Sequence, residues 1–521
     1  MIPILKLSKA APLCRPPRAR LSGLVLACLA WLAVFLAAPA ATLNPANFSH
    51  YIAAFNAMED ENVTNYVSNA QSWDWLEKEI PLFECPDREV EEMYYFRWWS
   101  FRKHLEQTGQ GFVLSEFLTR PAPVSSGLGH QLMEGRWLHD QNYLDDYVRY
   151  WLRGTNGLQP LHKYSGWLEH ALYQRYLVTG DARPVTPLLG DLIRDYRQWE
   201  QERQATNGLF WQYDVRDAME ESISGSRTNK NLRPSINSYM FGNARAIAAF
   251  ARLAGDRRVA AEFDAQAAKL KTQVQECLWN PDADFFEVLR EDGKFSGARE
   301  EIGFIPWYFG LPDDREKFDS AWAQLSDVHG FSAPFGLTTA ERRHPLFRTH
   351  GSGHCEWDGA VWPFATSQTL TGLANFLRHD KSSAVTPRDY FDAFLTYTHS
   401  QHADGRPYIG EYLDETTGQW FNGKDGRSRY YNHSTYADLV ITGVAGLVPR
   451  EDKTVEVWPL LPPGTWNWFC LEGLRYHGHE LTVIWDQDGS HYQRGPGLMV
   501  LADGKEIART GKLAKLTGKL P

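Results

Sequence analysis

The sequence predicts a mainly α fold, an (α/α)6 barrel followed by a small C-terminal β-domain. Three observations lead there. Apolar residues recur at helical spacing through long stretches between residues 73 and 447. Successive stretches are separated by short Gly, Pro or Asn breaks, so that they pair as hairpins. Beyond residue 453 the pattern changes to β-branched alternation punctuated by Asp-Gly turns. About a dozen helices joined as hairpins is the number that a ring of six requires.

The elements follow in chain order. Residues 1–40 read as a secretory signal peptide. Lys6, Lys9, Arg15, Arg18 and Arg20 precede an apolar run over 21–40 that ends in the small-residue pattern Ala38-Pro39-Ala40. A secreted or periplasmic location is the expectation. The barrel is expected over 41–452, with helices at 73–80, 89–105, 142–152, 166–178, 187–201, 236–253, 258–278, 313–325, 361–377, 387–399 and 435–447. Within "ARLAGDRRVAAEF", Gly255 suits a helix stop and Asp256 the start of the next helix. Residues 453–521, with "TVEVWPLLP", "HELTVIWDQDG" and "GLMVLADGKEIAR", are expected to form a small sandwich-like β-domain.

Composition narrows the function. The chain has 521 residues, and its net charge of −10 argues against nucleic acid or an anionic membrane surface as partner, because both call for a basic stripe. Twenty tryptophans, 23 tyrosines and 27 phenylalanines favour a carbohydrate partner, since sugar C–H faces stack on aromatic rings and their hydroxyls suit polar ring edges. Cys14 and Cys28 fall in the leader. Cys85, Cys277, Cys355 and Cys470 are scattered without metal-ligand spacing, which leaves one or two disulfides open. No metal and no cofactor are implied, and the pattern carries no signal of oligomeric state.

Three polar and aromatic segments stand at breaks between expected helices. The first, "FWQYDVRDAMEESISGSRTNKNLRPSINSYMFG", crowds Asp214, Asp217, Glu220 and Glu221 beside Trp211 and Tyr213. If it is helical, these carboxylates stack on one face and repel. The second, "HGSGHCEWDGAVWPFATSQTL", brings Glu356, Trp357, Asp358 and Trp362 to a helix entry. The third spans 405–440 and contains Glu411, Tyr430, Tyr431, His433 and Tyr436. In an α/α barrel such loops collect at one end and line a single cleft. Two separated carboxylates in a cleft are what glycoside hydrolysis needs, one protonated to serve the leaving oxygen and one ionised. Crowded acids raise one another's pKa, so the first cluster suits a proton donor.

These segments resemble the inverting six-hairpin glycosidases that include processing α-glucosidase I, trehalase and mannosylglycerate hydrolase. "GAVWPFATSQTLTGLANFL" resembles their G-P-V-W-P helix entry, "DAMEESISGS…RPSINSYMFGNARAIAAFARLAGD" their acidic segment and following helix, and "GEYLDETTGQ" their late E-x-Y segment. The resemblance implies Glu220 as general acid and Glu411 as the base that activates water. The family's acid is an aspartate, so Asp217 stays open as the acid. Asp358 stands where some relatives carry arginine, and Ala360 where they carry proline, so the sugar subsite differs from theirs.

Asp358 is thus expected either to hold a sugar hydroxyl or to cap a helix. Trp211, Trp357 and Trp362 are expected as stacking platforms or core, and Tyr431 and His433 as a wall of the cleft. Arg97, Trp99 and the segment 134–140 are further residues within possible reach. The expected activity is exo-acting, anomer-inverting hydrolysis of terminal sugars from oligo- or polysaccharides. The resemblance favours an α-glucoside or α-mannoside and leaves an arabinofuranoside or rhamnoside open. Two other classes remain. A lyase or epimerase would use Tyr430, Tyr431, His433, Arg427 and Arg429, and a sugar-binding protein would bind without cleaving.

Overall fold

A computed structural model of the protein describes residues 41–119, 122–154, 160–313, 315–349, 355–379, 382–421 and 426–521. The expected leader over 1–40 lies outside them, as does the start of the His350 segment. Six inner helices form a closed ring in which each packs on the next. They are Leu128–Gly135, Leu168–Thr179, Pro234–Leu253, Ile305–Tyr308, Pro363–His379 and Ala437–Leu439, the last running into a π turn over Val440–Val444. Outer helices alternate with them in sequence: Arg88–Lys103, Asn142–Arg153, Leu189–Arg203, Arg257–Cys277, the short Arg315–Phe318 with its 3-10 continuation Asp319–Gln324, and Pro387–Ser400. This is the (α/α)6 barrel. Residues 42–521 form one compact unit.

Local chemistry sets the helix ends. Asp87 accepts from the backbone N–H groups of Glu89 and Val90 at the start of Arg88–Lys103, and Arg102 and Lys103 lie in the last turn, where the helix dipole favours cations. Gly255 adopts φ +80° and Asp256 caps the following helix through Val259 N–H, as the sequence suggests. Pro234, Pro363 and Pro387 each open a helix, where a missing N–H costs nothing. Helices Ser49–Asn56 and Ser72–Glu79 pack on the first outer helix, which buries most of it.

The ring is closed by a buried carboxylate. Glu134, at the end of the first inner helix, accepts from the backbone N–H groups of Tyr436, Ala437 and Asp438, which begin the last one. Asp438 in turn takes the Arg136 guanidinium at 2.7 Å and the Trp137 indole N–H at 2.7 Å. The "EGRW" segment therefore joins first to last helix, behind the cleft. Arg97 likewise holds Ser434, Tyr397 and Gln401 from behind. Close approach elsewhere needs glycine: a Cβ on Gly129 would meet the Trp167 ring at 2.2 Å.

The C-terminal region forms two antiparallel sheets. One runs in the order Leu82–Glu84, Trp468–Tyr476, His479–Asp486, Gly497–Ala502 and Lys505–Thr510, and so borrows an edge strand from ahead of the barrel. The other joins Leu447–Val448, Thr454–Val457 and Leu516–Lys519. Asp503 and Gly504 both have positive φ, as a two-residue hairpin turn demands. Cys85, Cys277, Cys355 and Cys470 are all free thiols, so the disulfides left open by the sequence do not form. Among the described residues no helix is long and apolar enough to cross a membrane.

Candidate active site

Five of the connections that lead from an outer helix to the next inner helix contribute residues to a cavity of about 220 Å³. The first supplies Glu116, Phe117, Val124 and Ser126, the second Lys163 and Tyr164, and the third Ala218 and Glu220. Cys355, Trp357 and Trp362 come from the fifth connection, with Phe364 at the helix start. Glu411, Arg427, Tyr431 and His433 come from the sixth. The structure thus brings together Glu220, Glu411, Trp357, Trp362, Tyr431 and His433 of the residues expected from sequence.

Glu220 reaches the cavity because its segment is not a helix. A 3-10 turn over Asp214–Arg216 is followed by Ala218 at φ +56° and Glu221 at φ +66°, so the four acids point to different places instead of stacking on one face. Glu221 pairs with Arg227 at 2.6 Å. Asp217 is buried and binds Arg233 Nε at 2.8 Å, with Ser235 donating to the same oxygen. It does not line the cavity, and with Arg233 and Ser235 it holds the turn in place. Burial, followed by the charges of Glu411 and Asp214, pushes the Glu220 carboxyl up to about 7. The expected effect of crowding is present but second to desolvation.

Glu411 is held by a small backbone ladder. Val361 and Leu413 exchange two N–H···O bonds of 3.0 Å, and Leu413 also pairs with Trp420. Ser428 donates to Glu411 Oε2 at 3.0 Å. Arg348 clamps the same loop to the neighbouring connection, contacting Glu356 at 2.7 Å and Glu415 at 2.8 Å. The Tyr412 hydroxyl accepts from Cys355 N–H at 3.2 Å, tying the two loops again.

A third carboxylate, Glu116, was not expected. It is 2% exposed and accepts from Ser126 Oγ at 2.9 Å. Burial, with the charges of Glu411 and Glu220 adding to it against the hydrogen bonds of Ser126 and Tyr431, pushes its carboxyl up to about 8. A carboxyl raised in this way holds its proton more readily than an ordinary glutamate, and in that form it can donate a hydrogen bond. One acid inside the apolar run "FVLSEFL" was the available signal, together with its place between two paired helices.

The aromatic wall is more particular than the sequence allowed. Trp362 stacks on Trp357 at 4.4 Å and on Tyr412 at 4.6 Å, so protein rings occupy its faces and it meets the cavity by an edge. Trp357 is buried, and its indole N–H has no hydrogen-bond partner among the described residues. His433 packs edge-on to Tyr431 at 4.0 Å; burial, with His130 and Arg97 nearby, holds its imidazole well below the ordinary value, in the neutral form. It is a wall and not an acid. Two expected sugar contacts lie elsewhere. Asp358 is fully buried outside the cavity lining, its carbonyl accepting from Arg348 N–H. Trp211 sits between Arg203 and Lys230, whose cations lie 4.8 and 4.9 Å from its ring.

Among the described residues no group of His, Cys, Asp and Glu is arranged to hold a metal ion. The arrangement offers two carboxylic acids able to donate at neutral pH, a further carboxylate, and a small aromatic-walled space between them.

Comparison with known proteins points to the glycoside hydrolases. The mannosylglycerate hydrolase MGH1-like glycoside hydrolase domain matches residues 120–434, and the C-terminal domain of glycosyl hydrolase family 65 matches residues 450–509. A solved structure described as a sialidase superposes with TM-score 0.89 and 49% identity over 91% of this chain, which spans 45% of that longer chain. A family 78 rhamnosidase from a Bacillus species gives TM-score 0.55 at 13% identity, covering 78% of this chain and 40% of its own. The family 63 mannosylglycerate hydrolase from Thermus thermophilus, solved with Tris, gives 0.50 at 14% identity over 67% of this chain and 99% of its own. These last two share the fold.

Proposed function

Because the chain belongs to the mannosylglycerate hydrolase MGH1-like glycoside hydrolase family, we propose that it removes one terminal sugar at a time from an oligo- or polysaccharide, with inversion at the anomeric carbon. The observation that carries this is the presence of both Glu220 and Glu411 in the lining of one cavity of about 220 Å³. Glu220, pushed up to about 7, holds a proton to deliver to the glycosidic oxygen. Glu411, oriented by Ser428, takes a proton from the water that attacks the opposite face. Inverting enzymes hold these groups about 6.5–9.5 Å apart to leave room for that water. The small closed floor supports an exo mode, with a single sugar seated against Trp357, Glu116 and Tyr431.

An α-glucoside or α-mannoside is the favoured glycon, and an arabinofuranoside or rhamnoside is the alternative on this fold. Export, supported by the basic and apolar N-terminal pattern, would place the enzyme where polymeric glycans occur.

The test is monosaccharide release from a broad glycan panel by wild type and Glu411→Ala, with NMR detection of the first anomer formed. Release by wild type alone, with inverted configuration, is expected. Equal release by both proteins removes Glu411 from the mechanism, and a retained configuration removes the water-activating role.

A further inference from the structure

The sixth connection, which follows the outer helix Pro387–Ser400 and carries Glu411, walls the catalytic cavity. It walls a second hollow as well. The chain first lines a groove of about 960 Å³ with Arg406 and Tyr408, then enters the cavity with Glu411. It returns to the groove with Gln419 and Trp420, to the cavity with Arg427, to the groove with Arg429 and Tyr430, and to the cavity with Tyr431. One connection thus serves two hollows that have no lining residue in common. Phe335, from the fifth connection, completes the groove. Its N–H donates to the Glu415 carbonyl at 3.1 Å, and Gly418, at φ +72°, lets the backbone lie where a Cβ would come within 2.4 Å of the Phe335 ring.

The groove has the make-up of a saccharide site. Tyr408 and Phe335 are half-buried rings in its lining. Tyr408 is braced by Trp420 at 5.6 Å and by Tyr430 at 6.2 Å, so it gives up little freedom when a sugar face stacks on it. Arg406 and Gln419 are exposed, and their side chains form no hydrogen bond or ion pair with another described residue. Both are therefore available to sugar hydroxyls. Charge is balanced: Asp404 offsets Arg406, and Arg429 is paired with Glu59 at 3.1 Å. Rings and hydrogen-bonding groups without an excess of either charge suit a neutral glycan.

We propose that this groove is a second glycan-binding site, which holds a neutral stretch of polysaccharide remote from the bond being cut. The choice of polymer rests on the hydrolase reading of the neighbouring cavity. Tyr408 and Phe335 supply the stacking surface, and Arg406 and Gln419 the hydrogen bonds. At about 960 Å³ against about 220 Å³, the groove has room for a run of sugars where the cavity seats one. A polymer held in the groove keeps its chain ends near the cavity and raises their effective concentration there. The gain falls on KM for polymers and is missing for a disaccharide, which is too short to occupy both.

The experiment uses soluble α-glucan, α-mannan and arabinan, each with the disaccharide of its own linkage. Affinity electrophoresis through gels containing each polymer reads binding without cleavage, and sugar release reads the hydrolase. Wild type and Glu411→Ala are expected to be retarded alike by one of the three polymers. On that polymer wild type is expected to show kcat/KM about tenfold above the value on its disaccharide, mostly through KM. Arg406→Ala combined with Gln419→Ala, and separately Tyr408→Ala, are expected to abolish retardation and bring the ratio of polymer to disaccharide rates towards one. The exposed pair should leave the disaccharide rate within about twofold; because the ratio is internal, partial misfolding does not mimic the result. Retardation by none of the polymers, or retardation and ratio unchanged in both variants, overturns the proposal and leaves the hydrolase standing. Retardation lost in the variants while no protein releases sugar keeps the groove and overturns the hydrolase reading. A changed oligomeric state in the variants, with retardation retained, makes the groove an interface between copies of this chain and overturns it as a glycan site.

Discussion

Asp217 and Glu220 belong to one turn and live in opposite surroundings. Asp217 is sealed against the guanidinium of Arg233 and the hydroxyl of Ser235. Glu220 shares a cavity with other carboxylates, and Arg227, a cation whose charge acts on it, is already held by Glu221. Burial is common to both. What separates them is the partner: a buried acid with a cation is a fastening, whereas one facing acids keeps a proton near neutral pH. The same division runs through the molecule. Glu356 has Arg348 and Asp438 has Arg136, and neither lines the cavity; Glu116 and Glu220 do.

The sharpest way to break the comparison is to remove the cavity acids. Glu411→Ala and Glu220→Gln are each expected to lower kcat/KM on a natural glycan by about 10²–10⁴. They should separate on a glycosyl fluoride, whose leaving group needs no proton. Glu220→Gln is expected to recover most of its loss there and Glu411→Ala none. Recovery in both, or in neither, would mean the donor and water-activating roles are assigned to the wrong residues.

Asp217→Asn tests the other half. It leaves the Arg233 charge buried without its partner, and breaking a buried pair in this way costs about 3–5 kcal/mol. The expected outcome is a large fall in Tm, with kcat per folded molecule little changed. Loss of kcat at an unchanged Tm would instead make Asp217 the proton donor.

The pH profile sharpens the comparison without mutation. Glu220 works in its protonated form, so kcat/KM is expected to fall as pH rises through about 7. Glu116, pushed up to about 8, loses its own proton at higher pH, and the three interacting carboxylates titrate as a set rather than singly. Glu220→Gln should abolish the alkaline limb in what activity remains. A limb that persists unchanged would belong to another group.

The barrel was legible because periodicity survives in long helices: Asn142–Arg153 and Arg257–Cys277 lie within two residues of their expected ends. The inner helices Leu128–Gly135 and Ile305–Tyr308 were not, since they are short and buried on all sides, so no polar face marks a period. The roles proposed for Glu220 and Glu411 rest on motif resemblance, and both residues line the cavity. Glu116 was not, because one acid in an apolar run has no pattern. The direction in which Asp217 points depends on Ala218 at φ +56°, a backbone state that an alanine gives no reason to expect.

Aromatic residues give the finest form of the comparison. Trp357 lines the cavity, and its ring is stacked on Trp362 at 4.4 Å. Trp357→Phe keeps a ring but shortens the apolar surface against which a sugar would pack; KM is expected to rise by about tenfold. Trp211, equally attractive in the sequence, is braced by Arg203 and Lys230 outside the cavity. Trp211→Phe preserves the cation contacts and should leave KM and kcat within about twofold, since near-neutral effects are the rule for conservative changes away from a site. If instead Trp211→Phe raised KM as much as Trp357→Phe, sugar would have to bind beyond the cavity rim, and its volume would no longer argue for an exo mode.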